Sequence, residues 1–194
     1  AGIDVSRGPD PVEVIVAQVD GQYRWYSCRF APIQDRGQTV AATVIATDIH
    51  QRKEMEKALL LVRAAIENVQ DAVVITTSEL TPPGPQIVYV NKAFERMTGY
   101  TKDEILGQTP RLLQGERTDR KVLDKLKLQL QQNKVFHGET INYRKDGTEY
   151  YLEWDISPVH NEAGQIINYV SVQRDLTEQR RKEEIARQNQ SELA

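Results

Sequence analysis

The 194-residue chain carries one pattern twice, and this repeat constrains its fold more than any other feature. Asp20-Gly21, Pro32, Gly37 and Asp48-Ile49 recur as Asp146-Gly147, Pro158, Gly164 and Asp175-Leu176. Pro32 and Pro158 are 126 positions apart, whereas Gly37 and Gly164 are 127 apart. One residue is therefore inserted in the turn between Pro158 and Gly164. A pattern that returns at fixed spacing marks a module used more than once. The first copy has only 19 residues ahead of its Asp-Gly, too few for the elements that precede the second. The expected organisation is the C-terminal part of one module (1–50), a linker helix (51–69), a complete module (70–176) and a terminal helix (177–194).

Local patterns fill in this frame. Residues 12–19, 23–33 and 40–48 read as strands, the first two joined at Asp20-Gly21, because glycine takes positive φ at no steric cost. From His50 to Val69 the period becomes helical. Met55, Leu59, Val62, Ile66 and Val69 follow spacings of 4, 3, 4 and 3, a seam two heptads long. Such a seam packs either on its own domain or on a second copy. Residues 72–77 and 87–90 then read as paired strands. The segment Thr81-Pro82-Pro83-Gly84-Pro85 between them joins no ladder, since proline lacks the N–H. Thr101-Lys102-Asp103-Glu104 has the form of a capping box. Thr118 is expected to cap a helix reaching Lys134, with Val122, Leu126 and Leu130 on one face. Residues 135–144, 149–159 and 165–174 are three more strands, the last apolar on both faces. Residues 177–194 form a charged helix with Ile185, Ala186 and Leu193 as its apolar groups. Consecutive hairpins with helices between them give an α+β layout, an antiparallel sheet with helices on one face.

Alternation along 149–159 puts Tyr150, Leu152, Trp154 and Ile156 on one face. Asn142 and Gln173 would be isolated polar groups beside it. An apolar concavity with a few convergent polar groups is the usual form of a small-ligand site. In a filled core, both amides would instead satisfy neighbouring backbone. The first copy has Val16, Tyr26 and Ala46 where the second has Asn142, Leu152 and Gln173, so the two need not bind the same thing.

The complete module resembles the PAS family of sensory domains. The likeness rests on Ile87-Val88-Tyr89-Val90-Asn91, Gly99-Tyr100, Glu104-Ile105-Leu106-Gly107, Asn142-Tyr143-Arg144-Lys145-Asp146-Gly147 and Asp175-Leu176-Thr177. It covers residues 65–178, and residues 1–50 match the family's C-terminal half. The resemblance implies a five-stranded antiparallel sheet over a small pocket, and a regulatory role in bacterial signalling. Within the family, Gly107-Gln108-Thr109-Pro110-Arg111-Leu112-Leu113-Gln114-Gly115 is similar to the motif of the blue-light-sensing LOV branch. By that likeness Arg111, Gln114 and Lys127 would meet the phosphate and ribityl groups of flavin mononucleotide, and Asn142 and Gln173 its ring edge. Three positions depart from the branch. Pro110 stands where the photo-adduct cysteine belongs, and Thr109 and Leu152 replace two asparagines. The cofactor is left open, with flavin mononucleotide a candidate. Haem is disfavoured, because the helix after Thr118 offers no histidine.

The remaining composition narrows the function. A net charge of −3 gives no general attraction to nucleic acid or an anionic membrane. No apolar run approaches the ~20 residues of a membrane span. Cys28 is the sole cysteine, which excludes an internal disulfide and makes a reducing, cytoplasmic setting the default. His50, His137 and His160 have no second ligand at metal spacing, and no nucleophile–base constellation is apparent. The expectation is a regulatory sensor without catalysis of its own. It would bind a small ligand or a partner and act as a homodimer through the Met55–Val69 seam. Asp175, Thr177 and Glu178 would relay the signal to an effector of histidine kinase or diguanylate cyclase type. The rivals are a ligand-free dimerisation scaffold and a flavin-bound sensor without adduct chemistry.

Overall fold

In the computed structural model, residues 12–17, 21 and 23–192 are described, and they form two compact units, 1–63 and 64–194. The first unit is a three-stranded antiparallel sheet of β1 (Val12–Ala17), β2 (Tyr23–Asp35) and β3 (Gln38–Asp48) in the order β1-β2-β3. Of the expected first strand, residues 18 and 19 lie outside the described residues, as do Asp20 of its turn and, at the other end of the chain, Leu193 and Ala194. Strands β2 and β3 run further than expected. Arg36 and Gly37 close them with φ of 48° and 80°, the paired positive angles of a two-residue hairpin turn whose twist matches the strands.

Helix α1 (His50–Asn68) follows β3. Val69 lies just beyond its end, so the helical seam holds Met55, Leu59, Val62 and Ile66 only. Asn68 ends the helix, its amide turned back to the Ala64 carbonyl at 2.8 Å.

In the second unit come β4 (Ala72–Thr77), β5 (Ile87–Val90), α2 (Lys92–Thr98), α3 (Lys102–Ile105), a 3₁₀ turn (Pro110–Leu113) and α4 (Arg120–Gln131). Strands β6 (Phe136–Tyr143), β7 (Glu149–His160) and β8 (Ile166–Asp175) follow, then α5 (Thr177–Glu192). The sheet is five-stranded and antiparallel, in the order β5-β4-β8-β7-β6. The expected α+β architecture holds. One core cluster packs Ala72, Val74, Ile87 and Val90 of β4 and β5 against Ala93, Phe94, Ile105 and Leu113 of the helical segment. A second joins Phe136, Tyr150, Leu152 and Trp154, with Val122, Leu123 and Leu126 of α4 against it.

The helical segment is fixed by its caps. Thr101 and Glu104 form the capping box read from the sequence. Thr118 does not cap α4. Its hydroxyl accepts from Gly115 N at 2.9 Å and donates to Ile141 O at 2.7 Å, so it stitches the loop to β6. Asp119 caps instead, accepting from Lys121 N at 2.8 Å, and the helix is correspondingly shorter at both ends. Gly115 makes room for the Tyr143 ring, which any added Cβ would overlap.

The repeat returns at the level of single residue pairs. Val16 faces Arg24 as Asn142 faces Tyr150, and Cys28 faces Ala46 as Trp154 faces Gln173. The register break between Ile33 and Gln34 recurs between Val159 and His160. Ile49 N donates to Trp25 O at 2.9 Å, and Leu176 N to Tyr151 O at 2.8 Å.

Asn91 anchors the second unit. It is 1% exposed, and its oxygen accepts from Val73 N at 2.9 Å and Phe94 N at 3.1 Å. Its amide nitrogen donates to Ile66 O at 3.0 Å and Asp71 O at 3.1 Å. Replacing Asn91 with Ala removes four hydrogen bonds from buried backbone and should lower the unit's stability by about 3 kcal/mol, read as a reduced urea midpoint.

Candidate functional site

A cavity of about 440 Å³ lies between the inner face of the sheet and α4 with the 3₁₀ turn. That volume is within the range of ordinary small-ligand pockets. Its walls draw on both core clusters, through Val74 and Leu113 on one side and Leu152 and Trp154 on the other. The space persists because the floor between them carries the small polar residues Thr76 and Ser171, which cannot fill it.

All six residues expected at a ligand site line this one cavity: Arg111, Gln114, Lys127, Asn142, Leu152 and Gln173. Thr109 and Pro110 line it as well. They reach it from separate elements. Asn142 stands on β6, Leu152 on β7 and Gln173 on β8, each at an inward position of its strand. Arg111 comes from the 3₁₀ turn, which Pro110 opens with its preset φ. Lys127 stands on α4 two turns after Arg120, and Arg120 also lines the cavity. Sequence reasoning missed Arg120, although a seven-residue spacing on one helix face was enough to find it. Asp124 brings a carboxylate to the same wall.

Asn142 and Gln173 are each 8% exposed, and Asn142 Oδ1 and Gln173 Oε1 are buried without a hydrogen-bond partner. Gln173 Nε2 donates to Ser171 Oγ at 3.2 Å, which leaves its oxygen as the idle atom. Beside Asn142 stands Tyr150, fully buried, whose hydroxyl is near enough to feel the amide but makes no hydrogen bond of ordinary geometry. Burial pushes the Tyr150 phenol up to about 12, so it stays protonated across the physiological range. Two of these idle oxygens, on Asn142 and Gln173, belong to residues that line the cavity, and burying a polar group unmet costs ~1–3 kcal/mol. Arg111 and Lys127, with Arg120, supply positive charge of the kind that suits phosphate or carboxylate. No cluster of metal-ligating side chains occurs among the described residues.

A chain of contacts leads from this floor to α5. The Arg144 guanidinium lies 4.8 Å over the Tyr150 ring, donates to Met97 O, and reaches Asp175 Oδ2 at 2.6 Å. Asp175 Oδ1 accepts from Thr177 N at 2.9 Å, and Thr177 Oγ1 accepts from Tyr151 N at 3.0 Å. One turn on, Arg180 pairs with Glu139 and stacks 4.7 Å over Tyr151. Of the three residues expected to relay a signal, Asp175 and Thr177 sit in this junction. Glu178 is exposed in the first turn of α5, adding only charge favourable to a helix start. Arg144 is the residue that sequence reasoning did not single out, because nothing in the sequence places it across from Asp175.

Burial works upward on the Asp175 carboxyl, but hydrogen bonds from Thr177 and Arg144 outweigh it and hold its pKa below the usual carboxylate range. A depressed folded-state pKa stabilises the junction above the unfolded value of about 3.9, and that contribution is lost as the pH falls towards the folded value. Acidification through that window should therefore loosen the start of α5. Asp175→Asn should remove this part of the pH dependence, checked by hydrogen exchange of residues 176–180 against pH.

The sequence profile of the PAS domain family matches residues 70–178. The chain is 39% identical over 98 residues to a nitrogen fixation regulatory protein of Klebsiella oxytoca, covering 50% of this chain and 20% of that protein. It is 38% identical over 115 residues to a blue-light-activated histidine kinase of Brucella canis, covering 59% of this chain and 23% of the kinase. The chain thus spans well under half the length of these curated relatives. A solved light-oxygen-voltage domain studied with a flavin analogue superimposes with a TM-score of 0.54 at 29% identity, over 71% of this chain and 96% of that one.

Proposed function

This chain belongs to the PAS domain family, and from that premise we propose that it is the sensory input of a signalling protein. Its cavity takes a small planar ligand with an anionic tail, and the Arg144–Asp175 junction passes the change into α5. The pair of idle amide oxygens on Asn142 and Gln173 carries this reading. A ligand with N–H and C=O groups along one edge would satisfy them, since either amide can turn over to match donor or acceptor.

A flavin nucleotide has such an edge and a phosphate for Arg111, Lys127 and Arg120. The likeness to a solved light-oxygen-voltage domain supports this ligand class. Thr109, Pro110 and Leu152 also line the cavity and provide no amide there, so a flavin would be held by fewer hydrogen bonds than the resemblance implies. Pro110 brings no thiol, and Cys28 belongs to the other unit, so cysteinyl adduct chemistry is not part of the proposal. When bound, a flavin supplies visible absorption and electron-transfer chemistry. The chain's own residues hold its edge, balance its charge and keep water from the floor.

A ligand that engages Asn142 changes what the neighbouring Tyr150 hydroxyl meets. The Tyr150 ring carries Arg144, and Arg144 holds Asp175, so a shift at the floor bears directly on the first turn of α5. The effector would be a histidine kinase or diguanylate cyclase in the same, cytoplasmic polypeptide, and the similarity to a blue-light-activated histidine kinase supports the first of these. No helix of the described residues is long and apolar enough to cross a membrane.

The purified protein should carry a retained small molecule, visible by native mass spectrometry and, for a flavin, as a yellow absorption that blue light does not convert to an adduct band. Asn142→Leu and Gln173→Leu should each weaken ligand binding roughly 5- to 150-fold, the equivalent of one buried hydrogen bond. Unchanged affinity in the folded double variant would remove the cavity from the proposal.

Exposed apolar residues on α1 favour a second reading, in which dimerisation is itself the function. Met55, Leu59 and Val62 of the expected seam are exposed, as are Leu60 and Leu61, and Ile66 is half-buried. A patch of this kind suits a second copy of the chain. Sedimentation should then show a dimer, shifted towards monomer by the double substitution of Leu59→Glu and Ile66→Glu.

A further inference from the structure

Helix α1 ends and helix α5 begins at the same end of the second unit's sheet. Ala72, the first residue of β4, pairs with Gln173 of β8, and Asp71 and Arg174 adjoin them in the chain. Arg174 Nε donates to Asp71 Oδ1 at 3.2 Å, and its Nη2 donates to Asp71 Oδ2 at 2.9 Å. This two-pronged pair joins the third residue after α1 to the third residue before α5.

Both sides of the pair are anchored. Glu67, in the last turn of α1, accepts from the Tyr89 hydroxyl at 2.9 Å and from Lys92 N at 3.2 Å. The Asn91 amide nitrogen donates to Ile66 O and to Asp71 O, so Asp71 is tied through its backbone to the end of α1. On the other side Arg174 adjoins Asp175, whose carboxylate accepts from Thr177 N in the first turn of α5.

Stability does not account for the pair. The Arg174 side chain is 58% exposed, and ion pairs so open to water add little to a fold. Nor does the sheet require it. At the positions of the paired residues Glu153 and Arg174, the first sheet pairs Ser27 with Thr47, which carry no charge. The arginine also stands between two carboxylates, since its Nη1 lies 3.5 Å from Glu153 Oε2. A cation shared in this way has two arrangements, the kind of element that carries coupling between sites.

We infer that Asp71, Arg174 and Glu153 couple α1 to α5, so that the second unit answers a change arriving along α1 as well as the contents of its cavity. A shift at the end of α1 moves Asp71 and redistributes the guanidinium between Asp71 and Glu153. The strand end that holds Asp175 moves with it. Gln173 turns its side chain to the cavity and Arg174 turns its own to the opposite face, so two inputs meet on adjacent residues of β8. The coupling needs no ligand, so it stands or falls apart from the proposed function of the cavity.

Hydrogen exchange of the 194-residue chain tests this as a double-mutant cycle. Glu67→Ala removes the clamp and should speed exchange of residues 64–68 and, through the pair, of residues 176–180 by about two- to fivefold. With Asp71→Asn in the background, Glu67→Ala should still act on residues 64–68 but no longer on 176–180. The charge swap of Asp71→Arg with Arg174→Asp should restore the effect, and about 1 M salt should abolish it by screening. Unchanged exchange of the amides of β7 shows that the fold is kept. An effect on residues 176–180 that is the same with and without Asp71→Asn would overturn the inference. So would no effect there while residues 64–68 respond, and so would no response at residues 64–68, since the clamp is the first link.

Discussion

The second unit depends on the amide of Asn91, which uses both of its donors and accepts twice. That one side chain joins the end of α1, the start of β4 and the first turn of α2, three segments that would otherwise present unpaired backbone to the core. Asn142 and Gln173 are nearly as buried, yet each keeps an idle oxygen. The contrast separates structure from function within one residue type. A buried amide fully engaged with backbone fixes a fold, whereas these two, engaged only in part, line a cavity and under the proposed function would meet a ligand.

Position in the sheet sets how near the cavity floor stands to the helix. Strand β8 carries Gln173 into the cavity and ends two residues later at Asp175, where α5 begins. A relay of the kind proposed would therefore cross no long loop. Arg144, just past the end of β6, lies against the ring of Tyr150 and the carboxylate of Asp175. The first unit ends in the same way, with Asp48 accepting from His50 N at 2.8 Å. Helix α1 thus stands to its sheet as α5 stands to the second.

Most of this architecture was legible in the sequence because its signals are local or periodic. The offsets of 126 and 127 anticipated a shared register, and the inserted residue falls beyond the register break, where a turn absorbs it without sliding the ladder. Thr101 and Glu104 announced their capping box. Thr118 misled, since a threonine ahead of a helix satisfies the capping pattern whether or not its hydroxyl is already taken, here by Gly115 and Ile141. Val69 continued the heptad spacing, but Asn68 had turned its amide back on the helix and ended it. The cavity residues came from resemblance more than pattern, for they stand on elements far apart in the chain. Arg144 was read only as part of the Asn142–Gly147 motif and given no role, because its partner lies 31 residues away across the sheet.

The unmet amides have a consequence for the protein's lifetime. A cavity that leaves polar atoms idle makes the empty form less stable than its fold allows, and a ligand that engages them binds only the folded state. Stability then follows ligand concentration, rising by about 2.7 kcal/mol when free ligand reaches a hundred times its Kd. Under the proposed function an empty domain would open more often and be cleared sooner by proteases, while a filled one would persist. Abundance itself would then report the ligand, on a slower clock than any movement of α5.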